Sequence, residues 1–310
     1  MSIVFMGTPE WAIPSLNGVI ESGIEVSAVL TQPDRLVGRR KELAAAPVKK
    51  FAIEQKLPVY TPENANLKDT IEIISSLSPK LILVCAYGQI LTQEFLNIPY
   101  IGCFNLHFSF LPNLRGASPV QKAICSGLKT TGVSLQKIVL RLDSGPLAAC
   151  SEEVEILNDD TTPMLGKKLS EVSGNLIRQK LKNILEGDFT LTEQNESKAT
   201  YCSVLKKEDG HVNWKEETAL EIERKLRAFN PWPGIFSFYK SKSHNTQRLL
   251  FTKAKIVEGN FECGKIYSDM TIGAKKNGLK ILSLKPEGKK EMDADSFLRG
   301  NYKILGKVLD

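Results

Sequence analysis

The run Lys80-Leu-Ile-Leu-Val-Cys-Ala86 restricts the fold more than any other stretch of the chain. Six successive apolar residues without polar alternation do not suit a sheet with one wet face; they suit a strand of a parallel sheet covered by helices on both sides. The beginning of the chain agrees. Residues 2–6 form another short apolar run, Gly7-Thr8-Pro9 turns the chain, residues 10–21 suit a helix with Thr8 as cap and Pro9 at its first position, and residues 25–31 suit a second strand. Pro14, one turn in, makes an irregular first turn expected. Strand, helix, strand is the opening of a doubly wound α/β domain. A single glycine stands before that helix, with no Gly-x-Gly-x-x-Gly, so a dinucleotide site is not expected.

Further along, helical periodicity over 47–55, over 67–77 (Ile71, Ile73 and Ile74 on its apolar side) and over 118–126 alternates with strand-like runs at 58–60, 80–86 and 131–139. Asp160-Thr-Thr-Pro163 starts a long helix reaching about residue 186. Residues 189–205 are polar and aperiodic and read as a linker. Beyond them a helix at 219–228 and five short alternating runs between 235 and 284 suggest a small β-barrel. The expected organisation is therefore α/β: a Rossmann-like open sheet over 1–188, a linker over 189–205, and an OB-like β-barrel over 206–310.

Composition excludes several classes. No stretch approaches 18 consecutive apolar residues and no secretory leader pattern opens the chain, so a soluble, cytoplasmic protein without a membrane partner is expected. Six cysteines scattered singly and only three histidines give neither a disulfide scaffold nor a metal centre. From residue 206 onward there are 21 Lys and Arg against 14 Asp and Glu, leaving 20 against 21 before it, so the basic excess lies wholly in the C-terminal third. Such asymmetry suits either a polyanionic partner or a moderately basic solvated surface. The loop 31–41, with Arg35, Arg39, Arg40 and Lys41, reads when taken alone as a solvated excursion, with phosphate contact the alternative.

Residues 102–116, Gly-Cys-Phe-Asn-Leu-His-Phe-Ser-Phe-Leu-Pro-Asn-Leu-Arg-Gly, place polar groups two apart inside an apolar run. On a strand over 103–109, Asn105, His107 and Ser109 share one face while Phe104, Leu106, Phe108 and Phe110 take the other. A histidine in a strand is commonly only a hydrogen-bonded structural residue. Asp143, on a Gly-bounded turn after a later strand, adds chemistry: its carboxylate can hold His107 in one tautomer while the Asn105 amide and the imidazole face a carbonyl whose oxygen becomes negative. Ser109 as a nucleophile beside His107 fits less well, since it lies a strand repeat away.

Asn105-Leu-His107-Phe-Ser109-Phe110-Leu111-Pro112 with Arg115-Gly116, followed by Leu142-Asp143-Ser144-Gly145, resembles the formyltetrahydrofolate-dependent formyltransferases, whose motif runs Asn-x-His-x-Ser-Leu-Leu-Pro with a later Asp. Met6-Gly-Thr-Pro9, Thr31-Gln-Pro-Asp-Arg35, Ala86-Tyr-Gly-Gln-Ile-Leu91 and Phe297-Leu-Arg-Gly300 look more narrowly like the members that act on methionyl-tRNA, over nearly the full chain. The resemblance implies a monomeric enzyme that passes the formyl group of 10-formyltetrahydrofolate to the amino group of methionyl initiator tRNA, without a metal. It implies Asn105 and His107 as oxyanion stabilisers, and Asp143 as the group that orients His107 and assists proton removal. Ser109, Phe110, Leu111 and Pro112, with Tyr87, Gly88 and Gln89, would lie against the folate. Arg39, Arg40 and Lys41 would approach the acceptor end of the tRNA. Departures from the family pattern are Phe110 for Leu, Arg141 and Pro146 around Asp143, and Arg40 and Glu42 in the basic loop. A formyltransferase acting on a small amine, or a tRNA-binding protein without turnover, would share parts of this pattern.

Overall fold

Residues Leu81–Cys85 form the middle strand of a seven-stranded sheet, all five of them buried. We label the strands of this sheet β1 (Ser2–Gly7), β2 (Glu25–Leu30), β3 (Val59–Tyr60), β4 (Leu81–Cys85), β5 (Gly102–His107), β6 (Ser134–Lys137) and β7 (Leu147–Cys150). Their spatial order is β7-β6-β5-β4-β1-β2-β3. Strands β5, β4, β1, β2 and β3 are parallel, whereas β6 is antiparallel to β5 and β7 antiparallel to β6. The apolar run at 81–85 therefore did identify a strand buried on both faces. On one face Val4, Met6, Ala28, Leu30, Ile82 and Val84 pack with Tyr87, Leu91 and Phe95, each large side chain contributing roughly 1.5–3 kcal/mol of burial.

The computed structural model describes residues 1–37, 42–240 and 246–310, which fall into two units. The first comprises Met1–Pro119, Thr130–Glu155 and Gly166–Cys202, the second Val120–Lys129, Ile156–Leu165 and Ser203–Asp310. The long helix spans Thr162–Glu186, with Leu165, Leu169, Leu176, Ile177, Leu181 and Ile184 buried as its spacing requires. The first helix starts later than its sequence suggests: Glu10–Ala12 is a 3₁₀ turn and the α-helix runs Ile13–Glu21. Pro14 is tolerated only in a first turn, which fixes that start. Thr8 caps nothing; its hydroxyl donates instead to the Tyr87 carbonyl at 2.9 Å.

Residues 189–205 are not a slack tether. Thr192 and Leu147 exchange backbone hydrogen bonds at 2.8 and 2.9 Å, and Tyr201–Cys202 pairs in parallel with Arg115–Gly116. The first unit extends to Cys202. Two earlier segments belong to the second unit. There the Thr162 hydroxyl donates to the Ala228 carbonyl at 2.6 Å and Arg227 donates to the Asp160 carbonyl at 3.0 Å.

The second unit carries an antiparallel, curled half-barrel sheet of β8 (Ile235–Lys240), β9 (Thr246–Val257), β10 (Thr271–Gly273), β11 (Gly278–Pro286) and β12 (Met292–Asp293). The order is β8-β9-β11-β10, with β12 also on β11. The alternating run at 264–267 makes only isolated bridges, Lys265 to Val308 and Ile266 to Ile272. Helix Ala219–Ala228 starts with a Thr218/Glu221 capping box. The buried Trp214 indole donates to the Ser237 hydroxyl at 2.8 Å. Among the described residues no helix is long and apolar enough to cross a membrane.

Candidate active site

Strand β5 presents Asn105 and His107 on one face, and the antiparallel pairing with β6 sets Gln136 opposite Asn105 and Ser134 opposite His107. Paired residues of neighbouring strands point to the same side, so four polar side chains gather there. Phe104 and Leu106 are buried on the other face. The strand ends at His107, where the Ser109 amide bonds the His107 carbonyl at 2.9 Å. Period-two alternation therefore stops before Ser109, which corrects the expectation that it shares the face. Its hydroxyl donates to the Asn113 carbonyl at 2.5 Å and the residue is buried, so it serves its own loop.

His107 is 5% exposed. Its Nε2 lies 2.8 Å from the Leu114 carbonyl. A carbonyl only accepts, so Nε2 carries the proton and the neutral ring keeps its lone pair on Nδ1. Leu114 can aim its carbonyl this way because its backbone is left-handed, φ 60, a strained state for leucine that recurs at functional sites. Nδ1 lies 3.7 Å from Asp143 Oδ2, beyond hydrogen-bond reach. The tautomer is thus set by Leu114, not by Asp143 as the sequence suggests.

The carboxylate of Asp143 is held on both oxygens, Oδ1 by Gln136 Nε2 and Oδ2 by the Gly116 amide, each at 2.8 Å. Two glycines make this possible. A Cβ on Gly116 (φ 118) would come within 2.0 Å of the Cys202 carbonyl oxygen, and one on Gly145 within 1.7 Å of the Lys137 carbonyl oxygen. Arg115 is fully buried. Its guanidinium bonds Glu196 at 2.7 and 3.1 Å and Gln194 Oε1 at 2.8 and 3.1 Å. Gln194 Nε2 in turn donates to the carbonyls of Asp143 at 2.9 Å and Gly145 at 2.7 Å. Gln136, Gln194 and Glu196 escape a reading by periodicity. The only sequence signal for them is Arg115 itself, a charge in an apolar stretch that requires acceptors from elsewhere.

The hydrogen bonds from Arg115 hold the Glu196 carboxyl below its usual pKa. A lowered carboxylate stabilises the fold fully above its unfolded value of about 4.3, and that contribution disappears as pH falls through the folded value. The Tm difference between the parent and Glu196→Gln is therefore expected to be clear at pH 7 and to vanish in acid. A difference that persists unchanged at pH 3 would mean the ion pair is not its source.

The other sequence-selected residues are distributed as follows. Leu111 is buried, with its amide on the Ser134 hydroxyl at 3.0 Å. Phe110 and Pro112 are half-buried, the Phe110 ring lying against Gly132. Gln89 is occupied, accepting from the Ala65 amide at 2.7 Å and donating to the Glu63 carbonyl at 3.1 Å. Tyr87 is buried and its phenol is pushed up to about 12 by desolvation; its hydroxyl has no partner among the described residues. Gly88 (φ 93) has open space beside it and Ile90 is 84% exposed. This loop thus offers backbone groups and one apolar side chain to a ligand, while the side chains of Gln89 and Ser109 are committed elsewhere. Arg39, Arg40 and Lys41 lie outside the described residues.

A family model described as formyl transferase matches residues 1–181, and one described as formyl transferase, C-terminal domain matches residues 204–302. The chain is 39% identical over 301 residues to the methionyl-tRNA formyltransferase of Thermodesulfovibrio yellowstonii, covering 96% of this chain and 95% of that one. It is 36% identical over 314 residues to the methionyl-tRNA formyltransferase of Bacillus subtilis, covering 99% and 97%. Among solved structures, the sugar 3N-formyl transferase WlaRD with dTDP and 5-N-formyl-THF aligns with a TM-score of 0.65 at 17% identity, over 94% of this chain and 99% of that one. An N-formyltransferase from Helicobacter canadensis, with folinic acid and dTDP-3-aminofucose, gives 0.65 at 19%, over 94% and 99%. At such identities these structures show a shared fold.

Proposed function

The chain belongs to the formyl transferase family, and on that premise we propose that it transfers a formyl group from a tetrahydrofolate-type donor, 10-formyltetrahydrofolate, to the amino group of methionyl initiator tRNA. The observation that carries this reading is likeness over the whole length: 36–39% identity to methionyl-tRNA formyltransferases spans both units, whereas the sugar-modifying neighbours share the fold at 17–19%. The first unit, bearing Asn105, His107 and Asp143, is then catalytic. The second, with the basic excess of the C-terminal third, contributes to holding the tRNA, along with Arg39, Arg40 and Lys41.

The donor supplies an activated formyl group; the residues of this chain do the rest. Asn105, half-buried beside Gln136, donates its amide N–H to the formyl oxygen as negative charge grows on it. With Nε2 committed to Leu114, His107 works through Nδ1, which accepts the proton lost by the attacking amine. The imidazolium so formed faces the Asp143 carboxylate, whose charge stabilises it, and Nδ1–H is then placed to return the proton to the leaving nitrogen. A flat donor ring is suited to the loop at Tyr87, Gly88 and Gln89, with its exposed backbone and Ile90, and to the half-buried Phe110 and Pro112; Ser109 and Leu111 support that surface from beneath.

Formylation of charged initiator tRNA is compared with formylation of nucleotide-linked amino sugars, each with 10-formyltetrahydrofolate. The expected result is turnover of methionyl initiator tRNA and none of the sugars. Turnover of amino sugars alone would transfer the assignment to a small-amine formyltransferase, and tRNA binding without turnover would remove the enzymatic reading.

A further inference from the structure

On the turn that carries Asp143, Leu140 is 65% and Leu142 59% exposed. Asp143 itself is left-handed, φ 47, a conformation that Asp tolerates without strongly preferring. The turn is tied by Arg141 to Glu196 at 3.0 Å, and on its inner side one further side chain reaches its backbone at two points. Gln194 Nε2 donates to the carbonyl of Asp143 and, two residues on, to that of Gly145. The same nitrogen lies 3.4 Å from Gln136 Oε1, and Gln136 holds Asp143 Oδ1 through its own amide nitrogen.

The orientation of the Gln194 amide is not free. Its oxygen accepts two bonds from the buried Arg115 guanidinium, which has only donors to offer, so its nitrogen must face the turn. Glu196 neutralises Arg115 from the other side and holds it charged. The chain of contacts thus runs from the buried guanidinium of Arg115, paired with the half-exposed Glu196, through one amide, to the backbone of the carboxylate that faces His107.

We propose that Gln194 is a positioning residue for the reaction: by clamping the Asp143 and Gly145 carbonyls it keeps the Asp143 carboxylate against His107 Nδ1, and it affects turnover only through Asp143. This rests on the reading of Asp143 given above. Gln194 touches neither substrate nor reacting atoms, and its removal should change kcat and leave binding alone.

The test is a cycle on the full chain, with methionyl initiator tRNA and 10-formyltetrahydrofolate as substrates. Gln194→Leu is expected to lower kcat by about 10–100-fold, with KM for both substrates unchanged. In the Asp143→Asn background the same substitution should cost little more, because the group through which it acts is already disabled. An equal proportional loss in both backgrounds, or a change in KM alone, would overturn the proposal. If Gln194→Leu leaves Arg115 too poorly satisfied to fold, Gln194→Glu serves instead. It keeps an acceptor for the guanidinium but sets a carboxylate oxygen against two carbonyls, and a fully active, folded Gln194→Glu protein sinks the idea. Full activity of Asp143→Asn alone would overturn the reading of the site and this inference with it. An impaired Asp143→Asn beside Gln194 variants of normal kcat would overturn the inference only.

Discussion

Asn105→Ala is expected to lower kcat by ~10²–10³, the usual loss when one donor to a developing oxyanion is removed, with the Tm unchanged. The residue is half-buried and its backbone stays in the ladder between β4 and β6, so truncation opens no cavity in the core. His107→Ala should cost ~10²–10⁴, the span for a lost general base, and here stability should also drop. It leaves the Leu114 carbonyl with one bond fewer in a buried place, which costs roughly 1–3 kcal/mol. The two variants therefore separate by their melting curves as well as by rate. Near-parental kcat in either would take that residue out of the mechanism, and an equal fall in Tm for both would show that Asn105 supports the fold.

Gly116→Ala is expected to be severely destabilising. Two causes add: a φ of 118 that residues with a Cβ rarely adopt, and a Cβ 2.0 Å from the Cys202 carbonyl oxygen, where only backbone can yield. Strain and overpacking of this kind each cost roughly 1–3 kcal/mol. Relief would push Arg115–Gly116 away from Tyr201–Cys202 and withdraw the amide that holds Asp143 Oδ2. Urea unfolding should show a midpoint lowered to match a loss of about 3 kcal/mol or more, and folded protein should turn over slowly. A loss below about 1 kcal/mol would mean that the two short strands are free to separate.

The parts of the fold legible in the sequence were those in which one physical rule acts locally. The uninterrupted run at 81–85 announced a buried parallel strand, the 3.6-residue spacing of Leu165, Leu169, Val172 and Leu176 announced the long helix, and the two-residue spacing of Asn105 and His107 announced their common face. Ser109 was misplaced because alternation holds only while the strand continues, and this one ends at His107. Thr8 was misread as a cap because the competing acceptor, the Tyr87 carbonyl, is 79 residues away. The same reason hid the support of the site. Gln194 and Glu196 lie in a polar, aperiodic stretch, and their partner Arg115 is 79 and 81 residues distant; nothing local tells such a stretch from a linker. The Gly-bounded turn after a later strand pointed to Asp143, but the tautomer of His107 depends on the left-handed backbone at Leu114, which no pattern of side chains encodes.

The return of residues 192–202 to the sheet has a consequence for how the protein is made. A ribosome that has released residues 1–188 has released every residue of the Asn105, His107 and Asp143 set, yet the guanidinium of Arg115 then has neither Gln194 nor Glu196 to meet it. An uncompensated buried cation of this sort costs several kcal/mol, so the nascent first unit should stay open around its own catalytic turn until about a dozen further residues emerge. Synthesis of the last segment, rather than of the motif, is the event that makes the site competent.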